Sequence, residues 1–481
     1  MRLDDLLAGV EVRGRRGGNP EVAAVTHDSR AVRPGTLYCC LPGRSADGHR
    51  FAGAAVAAGA VALLAERTLA IELSDVADAI DVAEAVVDST RVAMAPVAAS
   101  FYGHPSRSLA VVGITGTNGK TTTTQLTAAI LRATGRVVET MGNLHSGGLN
   151  TPEAPELQGR LAAHRDAGVD AVAMEVSSHA LAQHRVDAIE FAAAVFTNLT
   201  RDHLDFHGTM EDYFAAKARL FEKGRSALGV ANADDAFGAR LLQSASIPMH
   251  AYSVADAEGL EFSPSGSRFR WRGVDVALSL PGRFNVLNAL AAATAASAIG
   301  VDHDAVAAGL ASVQAVHGRF DRIDVGQPFT VLIDYAHTPD ALEQVLRAAR
   351  EMTRPTALDE GRVILVFGCG GDRDRGKRPE MGRLAASLAD VAVLTSDNPR
   401  SEDPMAIIEE VLAGAPGALV VEPDRAAAIA LAVGRADAGD VVVIAGKGHE
   451  TGQIVGDAVL PFDDHDAARA AIESLTTGGP A

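Results

Sequence analysis

The chain of 481 residues has a formal net charge of −18, and 47% of its residues are hydrophobic. Binding to nucleic acid depends on Lys and Arg side chains that neutralise phosphates, so this charge disfavours a nucleic-acid partner. The hydrophobic content and the lack of a low-complexity tract predict a packed globular protein rather than a disordered one. At about 100–200 residues per domain, the length predicts three domains.

The cysteines and the amino terminus bear on the cellular compartment. Only three cysteines occur, Cys39, Cys40 and Cys369, and their spacing suits neither a disulfide framework nor a zinc site. Two acids precede any apolar run at the amino terminus, and the uncharged, Gly-interrupted apolar stretch 51–65 is too short to cross a bilayer. We therefore expect a cytoplasmic protein without membrane insertion, and we expect a monomer.

The pattern along the chain is typical of an α/β protein. Short apolar runs recur, each followed by a Gly-containing or polar loop and then by a helical pattern, which predicts βα units and a mainly parallel sheet. Two stretches rich in Gly, Pro and polar residues, near 96–108 and 317–329, predict breaks between domains. We expect a small N-terminal α/β domain over 1–97, a central domain over 98–325 and a C-terminal Rossmann-like α/β domain over 326–481.

A Gly-rich loop opens the central domain. In "VVGITGTNGKTTTTQL" the apolar run predicts a buried strand, and the segment from Lys120 predicts a helix that ends at Gly135. Backbone N–H groups at such a turn bind phosphate, a Lys adds charge for the terminal phosphates, and a Thr hydroxyl can bind Mg²⁺. The loop departs from the strict GxxxxGK[ST] pattern, because Ile114 stands where that pattern has Gly.

This loop predicts an ATP or GTP site and makes the central domain a P-loop-type ATPase domain with a mainly parallel sheet. A plain Gly-rich turn is the alternative. The predicted nucleotide-binding residues of the loop are Gly116, Thr117, Asn118, Gly119, Lys120, Thr121 and Thr122.

Seven predicted strands end in polar residues, where the ligands of open parallel sheets bind. The seven ends are "GITGTNGKT", "AVAMEVSSHA", "AAVFTNLTRDHLDFHG", "VLIDYAHTPD", "ILVFGCGGDRDRGKRP", "VLTSDNPR" and "VVVIAGKGHE". Any one of them alone could be an ordinary loop.

Two of these ends offer ligands for a metal ion. Glu175 ends a strand in the manner of a carboxylate that supports Mg²⁺, and with Thr121 and His203 it could complete a metal site at the phosphates. A solvated strand-end acid is the alternative for Glu175. His203 could instead cap the following helix, but its place after a strand of the same sheet favours the metal site.

Later segments of the central domain give weaker signals. Between 253 and 281 short alternating stretches predict a β-meander, followed by a helix. Asn285 and Asn288 on that helix would present two amides suited to a purine edge, although helix capping explains Asn285 equally well. Lys217 lies on a predicted amphipathic helix. A lysine at such a position is more commonly a surface residue whose amine reaches water than a functional residue.

The last third of the chain concentrates charge at strand ends. "GDRDRGKRP" is a short basic loop, and "DNPR" ends in Arg400, a side chain suited to bidentate carboxylate binding. "GKGHE" adds His449 and Glu450, and an acid among bases suggests a zwitterionic ligand whose ammonium group pairs with the carboxylate. Surface salt bridging is the alternative for each charge taken singly.

In their order along the chain, these segments resemble the motifs of the Mur ligase family. The matching segments are "GITGTNGKTTT", "TPEAPEL", "MEVSSHAL", "TNLTRDHLDFHG", "FNVLNALAA", "DYAHTPDAL", "GCGGDRDRGKRP", "DNPRSEDP" and "GKGHE", and they cover essentially the whole length. The resemblance implies ATP-dependent addition of a third amino acid to the UDP-N-acetylmuramoyl dipeptide of peptidoglycan synthesis. It assigns binding of the UDP substrate to 1–97, ATP binding and ligation to 98–325, and amino-acid binding to 326–481.

The resemblance also implies the residues of each site. The catalytic residues would be Lys120, Lys217 and His203. Mg²⁺ would be bound by Thr121, Glu175, His203 and Lys217, the last as a carbamate. ATP would contact the Gly-rich loop together with Asn285, Asn288, Arg319 and Asp334. The UDP substrate would be held by Ser29, Asn150, Thr151, Ser177, Gln183 and Arg185. The incoming amino acid would be held by Arg373, Asp397, Asn398, Pro399, Arg400, Gly446 and Glu450.

The "DNPR" segment resembles the version that takes meso-diaminopimelate, because Arg400 can bind the distal carboxylate that L-lysine lacks. LL-diaminopimelate carries the same carboxylate, so the LL isomer and L-lysine stay open as alternatives. Two positions depart from the family pattern: Asn150 stands where relatives usually have the first Thr of "TTPEAP", and "HGRFDR" around Arg319 replaces "PGRME".

Three other functions have distinct sequence signatures. Another member of the superfamily, such as a folylpolyglutamate synthetase or a different Mur ligase, shares the phosphate loop, but "DNPR" and "GKGHE" argue against it. A GTP-binding switch would need a guanine-reading "NKxD" after a strand, and the sequence has none. An inactive cell-wall scaffold would be expected to have lost Lys120, Glu175 or Lys217, and all three are present.

Overall fold

The computed structural model describes residues 1–43, 46–69, 82–142, 150–263, 265–353 and 361–477. These residues form three large sheets, and each sheet is built from strands that are contiguous along the chain. Buried apolar clusters lie on both faces of each sheet. The predicted α/β class with three parts is therefore confirmed.

The N-terminal sheet has five strands in the order β1-β5-β4-β3-β2, and all of its pairs are parallel except β1 with β5. Its elements are α1 Leu3–Leu6, β1 Gly14–Arg16, β2 Ala24–Thr26, β3 Thr36–Cys39, α2 Ala52–Ala57, β4 Ala60–Ala65, β5 Ala83–Val86 and α3 Thr90–Phe101. The predicted break at 96–108 begins inside α3, where Pro96 is tolerated because the turns around it bury apolar side chains.

The central sheet has six strands, all parallel, in the order β11-β10-β9-β6-β8-β7. Its elements are β6 Ala110–Thr115, α4 Lys120–Ala133, β7 Val138–Met141, α5 Ala154–Asp166, β8 Ala171–Glu175, α6 Ser178–Ala182, β9 Ala193–Phe196, α7 Leu204–His207, α8 Met210–Ala218, β10 Gly229–Asn232, α9 Ala236–Ser244 and β11 Met249–Tyr252. Strand β6 lies between β8 and β9, so the strands that follow it in the chain are placed on both sides of it. The Gly-rich loop follows β6 at this topological switch point, which is where open parallel sheets bind their ligands.

The predicted β-meander and the helix after it are both confirmed. Three antiparallel strands form a small separate sheet, and two helices follow. These elements are β12 Glu258–Ser263, β13 Gly266–Trp271, β14 Val274–Leu278, α10 Arg283–Ala298 and α11 His303–Ser312. Helix α10 packs against helix α4, which begins directly after the Gly-rich loop. The helix that follows the β-meander therefore supports that loop.

The C-terminal sheet has six strands in the order β15-β16-β20-β17-β18-β19, and only β15 is antiparallel to its neighbour. Its elements are β15 Asp321–Ile323, β16 Thr330–Asp334, α12 Pro339–Met352, β17 Val363–Phe367, α13 Arg378–Leu388, β18 Val391–Leu394, α14 Pro404–Leu412, β19 Val420–Val421, α15 Arg425–Gly434, β20 Val441–Ala445, and α16 Asp464–Thr477. A hairpin of β21 Gly452–Val455 and β22 Ala458–Pro461 precedes α16. This sheet begins at Asp321, ahead of the boundary predicted at 325, and the domain boundaries themselves stay predictions.

All seven predicted strands with polar ends are present. Three of them, β6, β8 and β9, are neighbours in the central sheet, and the other four, β16, β17, β18 and β20, belong to the C-terminal sheet. No helix among the described residues is long and apolar enough to cross a membrane. The polar residues that follow these strands therefore form two groups, one at the carboxyl edge of each sheet.

Candidate active site

A cavity of about 480 Å³ lies between the central and C-terminal sheets. Lys120, Glu175 and His203 line it from the central sheet, and Asp334, Tyr335 and His337 line it from the strand end of β16. The volume lies within the range of small-molecule sites. The cavity thus brings together residues from four of the predicted strand ends.

The Gly-rich loop needs glycine at two positions because of close neighbours. Gly116 and Gly119 have φ values of 152° and 84°. A Cβ atom on Gly116 would collide with the Thr197 hydroxyl, and one on Gly119 would collide with the Asn288 amide. The loop is held by Asn198, whose backbone and side-chain oxygens accept hydrogen bonds from the next two backbone N–H groups, those of Thr117 and Asn118.

Two lysine side chains meet inside this loop. The Lys120 amine donates to the carbonyl oxygens of Gly116 at 3.0 Å and Thr117 at 2.8 Å. The Lys217 amine donates to the same Gly116 oxygen at 2.8 Å and lies 4.7 Å from the centroid of the Tyr213 ring. Lys217 is only 1% exposed, so the surface position that its sequence pattern favoured is wrong. Burial, and secondly the charge of Lys120, holds the pKa of Lys217 well below its usual value.

The candidate metal ligands lie beside the loop. The Thr121 hydroxyl donates to the Glu175 carboxylate at 2.9 Å, and Glu175 is buried, which contradicts the alternative of a solvated acid. His203 precedes α7, but its side chain makes no capping hydrogen bond. Burial lowers the pKa of His203 to about 3, so its imidazole is neutral at pH 7, which is the form that binds metal ions. Oxygen from Thr121 and Glu175 fits Mg²⁺, which prefers oxygen ligands.

The two candidate purine-binding amides differ in their placement. Asn288 lines the cavity, where its amide oxygen accepts from the Thr123 hydroxyl at 3.4 Å. Asn285 is buried, and its amide nitrogen donates to the carbonyl oxygen of Pro281 at 2.9 Å. The Asn288 amide nitrogen donates to the Asn285 side-chain oxygen at 3.2 Å, so Asn285 supports Asn288 from behind.

Arg319 and Asp334 both line the cavity. The Arg319 guanidinium lies over the Tyr335 ring, 4.3 Å from its centroid, and donates to the Thr121 hydroxyl at 3.0 Å. It therefore connects the C-terminal sheet to the Gly-rich loop. The Asp334 carboxylate accepts from the backbone N–H groups of Phe320 and Ala336, and burial raises its pKa.

Four of the six residues predicted to hold the UDP substrate form one hydrogen-bonded cluster. Arg185 donates to the Thr151 carbonyl at 3.0 Å and to the Gln183 side chain at 2.5 Å, and the Thr151 and Ser177 hydroxyls are 3.5 Å apart. Glu153, which the sequence did not single out, accepts from Arg185 at 3.0 Å.

The other two residues lie elsewhere. Asn150 lines the cavity. Ser29 lies on the N-terminal domain in the short turn Ser29–Ala31, and among the described residues it shares no hydrogen bond with the cluster. Burial lowers the pKa of His27, which lies two residues before Ser29.

A second polar cluster lies at the end of β20. The Asn398 amide donates to the Glu450 carboxylate at 2.8 Å, and the Tyr335 hydroxyl donates to the same carboxylate at 3.2 Å. Lys447, which sequence reasoning missed, is fully buried and donates to Asn398 at 3.1 Å and Glu450 at 3.3 Å. Its position in "GKGHE" was a signal, but only the fold shows that its side chain points inward. Tyr335 belongs to this cluster and to the cavity, so the two are continuous.

Arg373 and Arg400 lie close to each other at the edge of this cluster. Burial, and secondly the charge of Arg373, lowers the pKa of Arg400. Arg400 has a φ of 52°, a conformation held by backbone hydrogen bonds with Ile454 and Gly456 of the β21–β22 hairpin. Within the described part of the chain, neither guanidinium forms an ion pair with a carboxylate. Two guanidinium groups close together suit an anionic ligand.

The remaining residues predicted for this pocket lie beside it. Gly446 has a φ of 119°, and a Cβ atom there would lie 2.8 Å from the Asp397 carboxylate. The Asp397 carboxylate is 3.9 Å from the Lys447 amine. Pro399 lies between Asn398 and Arg400, and its carbonyl oxygen accepts from the Glu402 backbone.

Polar contacts that the sequence did not reveal join the central and C-terminal domains. Asn118 donates to Asp340 at 2.9 Å, and Arg201 lies 3.2 Å from Asp374. Asp202, next to His203, lies 3.7 Å from the Lys377 amine. Each of these residues falls in a segment that was noted for its strand end or loop, but a sequence does not show which loops face each other.

Three family models of Mur ligase domains match the chain. They are described as "Mur ligase family, catalytic domain", over 21–107, "Mur ligase middle domain", over 114–296, and "Mur ligase, glutamate ligase domain", over 318–448.

Similar proteins match over nearly the full length. The chain is 48% identical to the UDP-N-acetylmuramoyl-L-alanyl-D-glutamate--2,6-diaminopimelate ligase of Streptomyces avermitilis, with 96% of each chain covered. It is 45% identical to the ligase of the same name from Geobacillus kaustophilus, with 95% of this chain and 96% of that one covered. A solved structure of a ligase of that name is 34% identical, covers 95% of each chain and has a TM-score of 0.64.

The chain therefore belongs to the Mur ligase family, and the resemblance seen in its motifs is confirmed. Within that family it falls in the MurE group.

The buried amine of Lys217 leads to a prediction on stability. Lys217→Met is expected to raise the free energy of unfolding at pH 7 by about 1–2 kcal/mol. Because the pKa of Lys217 is lower in the folded state, the wild-type protein releases a proton on folding at pH values between the folded and the unfolded pKa, and this lowers its stability. That cost fades as the pH rises to about 10.4, where unfolded lysine also loses its charge, so the two proteins should converge there.

Thermal unfolding in buffer freed of CO₂, at several pH values, measures this difference. Lys223→Met is the matched control, because Lys223 is exposed on the surface, and it should change stability by less than about 0.5 kcal/mol. A Lys217→Met variant that is less stable than the wild type at pH 7 would contradict the prediction.

Proposed function

We propose that the chain is an ATP-dependent, cytoplasmic ligase that adds meso-diaminopimelate to UDP-N-acetylmuramoyl-L-alanyl-D-glutamate. The observation that carries this proposal is that the cavity beside the Gly-rich loop is continuous with the polar cluster at the end of β20. Tyr335 lines that cavity, and its hydroxyl donates a hydrogen bond to Glu450 of the cluster, which has Arg400 at its edge. Relatives whose printed names give a 2,6-diaminopimelate ligase, without the isomer, match 95–96% of the chain, which supports the proposal. A nucleotide and an amino acid can thus be held in contact at one site.

The first step activates the substrate carboxylate, which is a poor electrophile. A carboxylate oxygen of the dipeptide attacks the γ-phosphorus of ATP, and the bond from that phosphorus to the bridging oxygen breaks, which gives an acyl phosphate and ADP. Lys120 and the backbone N–H groups of the Gly-rich loop stabilise the charge that spreads over the phosphoryl oxygens. Lys120 must leave its present partners, Gly116 and Thr117, to reach a phosphate.

The second step forms the amide bond. The neutral amine of diaminopimelate attacks the acyl carbon, the tetrahedral intermediate expels phosphate, and the nitrogen loses a proton. Attack requires the two reactants to be held at contact distance, which a site between two domains can provide by closing. Asn118 with Asp340 and Lys377 with Asp202 are contacts that such closure would strengthen.

Magnesium ion would be bound by Thr121 and Glu175, with His203 and a carbamylated Lys217 as further ligands. When bound, it would neutralise the phosphate oxygens. Carbamylation forms a bond between the Lys217 nitrogen and the carbon of CO₂, with loss of a proton, and only a neutral amine can react. Burial lowers the pKa of Lys217 and so favours that form, and the product would give the site a second anionic oxygen donor besides Glu175.

The amino-acid pocket favours a ligand with one ammonium group and a distal carboxylate. Glu450 supplies negative charge for an ammonium group, and Arg373 with Arg400 supplies positive charge for a carboxylate. L-Lysine lacks the distal carboxylate and would leave the half-buried Arg400 guanidinium without that partner. The LL isomer presents the same groups with a different shape, so it is the nearest alternative.

The function is tested with purified protein, ATP, Mg²⁺ and the UDP dipeptide, with meso-diaminopimelate, LL-diaminopimelate and L-lysine in parallel. Phosphate release and the mass of the product are measured. Tripeptide product with meso-diaminopimelate alone supports the whole proposal. Product with L-lysine instead removes the role given to Arg400, and no product with any amino acid rejects the ligase function.

Arg400→Met is expected to lower kcat/KM for diaminopimelate by about 10–100-fold, because a hydrogen bond to a charged group contributes about 1.5–3 kcal/mol. Turnover with L-lysine, which has no carboxylate for this side chain, should change little. Arg383→Met, at an exposed position of α13, is the matched control and should leave kcat/KM unchanged. An equal loss with both amino acids would show that Arg400 acts on the fold of the pocket instead.

The carbamate on Lys217 should be visible when protein is equilibrated with ¹³C-labelled CO₂. We expect one carbamate carbon signal by NMR, which disappears in Lys217→Met and persists in Lys223→Met. Activity should fall in buffer depleted of CO₂ and return when bicarbonate is added. A signal that survives in Lys217→Met, or full activity without CO₂, would reject carbamylation of this residue.

A further inference from the structure

Two histidines and an aspartate meet outside the active-site cavity. His317 precedes β15, Asp321 is the first residue of β15, and His465 lies in the first turn of α16. One oxygen of Asp321 is 3.0 Å from Nε2 of His465 and 3.3 Å from Nδ1 of His317. The two imidazole rings stack with their centroids 4.4 Å apart, and none of the three residues lines the cavity.

These distances fit one metal ion. Bonds of about 2.0–2.1 Å to a tetrahedral zinc ion place neighbouring ligand atoms about 3.3 Å apart. One ligand atom from each of the three residues lies within 4.8 Å of the other two. A small movement of the side chains towards one another would therefore bring all three atoms to the spacing that a bound ion requires. Two imidazole nitrogens and one carboxylate oxygen are a donor set that zinc and similar transition metals accept.

The surroundings of the three residues match those of a metal site. The buried Nδ1 of His465 faces Asp463, whose carboxylate is 3.4 Å away. A histidine that binds a metal commonly directs its second nitrogen to a carboxylate in this way. The Gly318 N–H donates to the Asp321 carboxylate at 3.2 Å, which fixes the orientation of that ligand.

Charge and access also suit a cation. Asp464, the neighbour of His465, is fully occupied by Arg425, with two hydrogen bonds of 2.7 Å, so it does not compete for the site. Asp321 and Asp463 leave the two imidazoles in a negative environment. The side chain of His317 is 55% exposed, which gives an ion a path from solvent.

We propose that His317, Asp321 and His465 bind a divalent transition-metal ion of the zinc type, with water at the remaining position. The ion joins the segment before β15 to the start of the last helix, α16. The same segment carries Arg319, whose guanidinium bonds Thr121 in the cavity. Binding therefore stabilises the C-terminal domain and holds the base of the Arg319 side chain in place, without taking part in the reaction.

The test uses the full chain after treatment with a chelator, in excess Mg²⁺ and without ATP. Co²⁺ is titrated as a spectroscopic probe, because its visible absorption reports the coordination geometry, and Zn²⁺ is then used to displace it. We expect one Co²⁺ ion to bind per chain at submillimolar concentration, with a visible absorption spectrum typical of a low coordination number. The melting temperature of the protein should rise by several degrees when Zn²⁺ is added and fall again when chelator is added.

His317→Gln removes one ligand at an exposed position and should weaken Co²⁺ binding at least about tenfold, as should His465→Gln. His250→Gln, at an exposed position of β11, is the matched control and should bind as the wild type does. Binding that is equal in His317→Gln and the wild type would place the ion elsewhere and reject the site. The lack of saturable binding to the wild type would show that the three side chains form only an ion-pair cluster.

Discussion

The carbonyl oxygen of Gly116 accepts hydrogen bonds from two lysine amines, and the rest of the site is arranged around that contact. Two ammonium groups on one oxygen repel each other, and burial raises the cost of both charges. The arrangement is stable only if one amine is neutral or if anions arrive. A phosphate beside Lys120 and a carbamate on Lys217 would offset both charges, so this contact favours the binding of anions.

This local concentration of positive charge stands against a chain whose net charge is −18. Anionic substrates must therefore be attracted by the loop, by Arg319 and by the paired guanidiniums of Arg373 and Arg400 rather than by the protein as a whole. Several contacts between the central and C-terminal domains are polar, beside an apolar contact in which Phe284 of α10 packs against Phe320. Pairs such as Arg201 with Asp374 can form and separate in water at little cost, as a closing enzyme requires.

Much of the fold could be predicted from the sequence because its strands are short apolar runs followed by polar loops. The order of those loops placed Lys120, Glu175 and His203 at one edge of one sheet. Lys217 and Lys447 could not be found in this way, since a lysine pattern gives no sign of burial and their partners lie far away in the chain. For Asn285 the sequence left contact with a purine and helix capping equally open, and its amide donates to the Pro281 carbonyl just before α10, a local interaction that the sequence pattern does not distinguish from ligand binding.

The strand order of the C-terminal sheet has a consequence for how the protein is made. The N-terminal and central sheets are complete once their own segments have left the ribosome. In the C-terminal sheet, β20 fills the gap between β16 and β17, although it is synthesised after β17, β18 and β19. That sheet cannot close until Val441–Ala445 emerges, and the "GKGHE" segment follows directly. The polar cluster of Asn398, Lys447 and Glu450 can therefore form only late in synthesis, so a chain released early would carry the Gly-rich loop without that cluster.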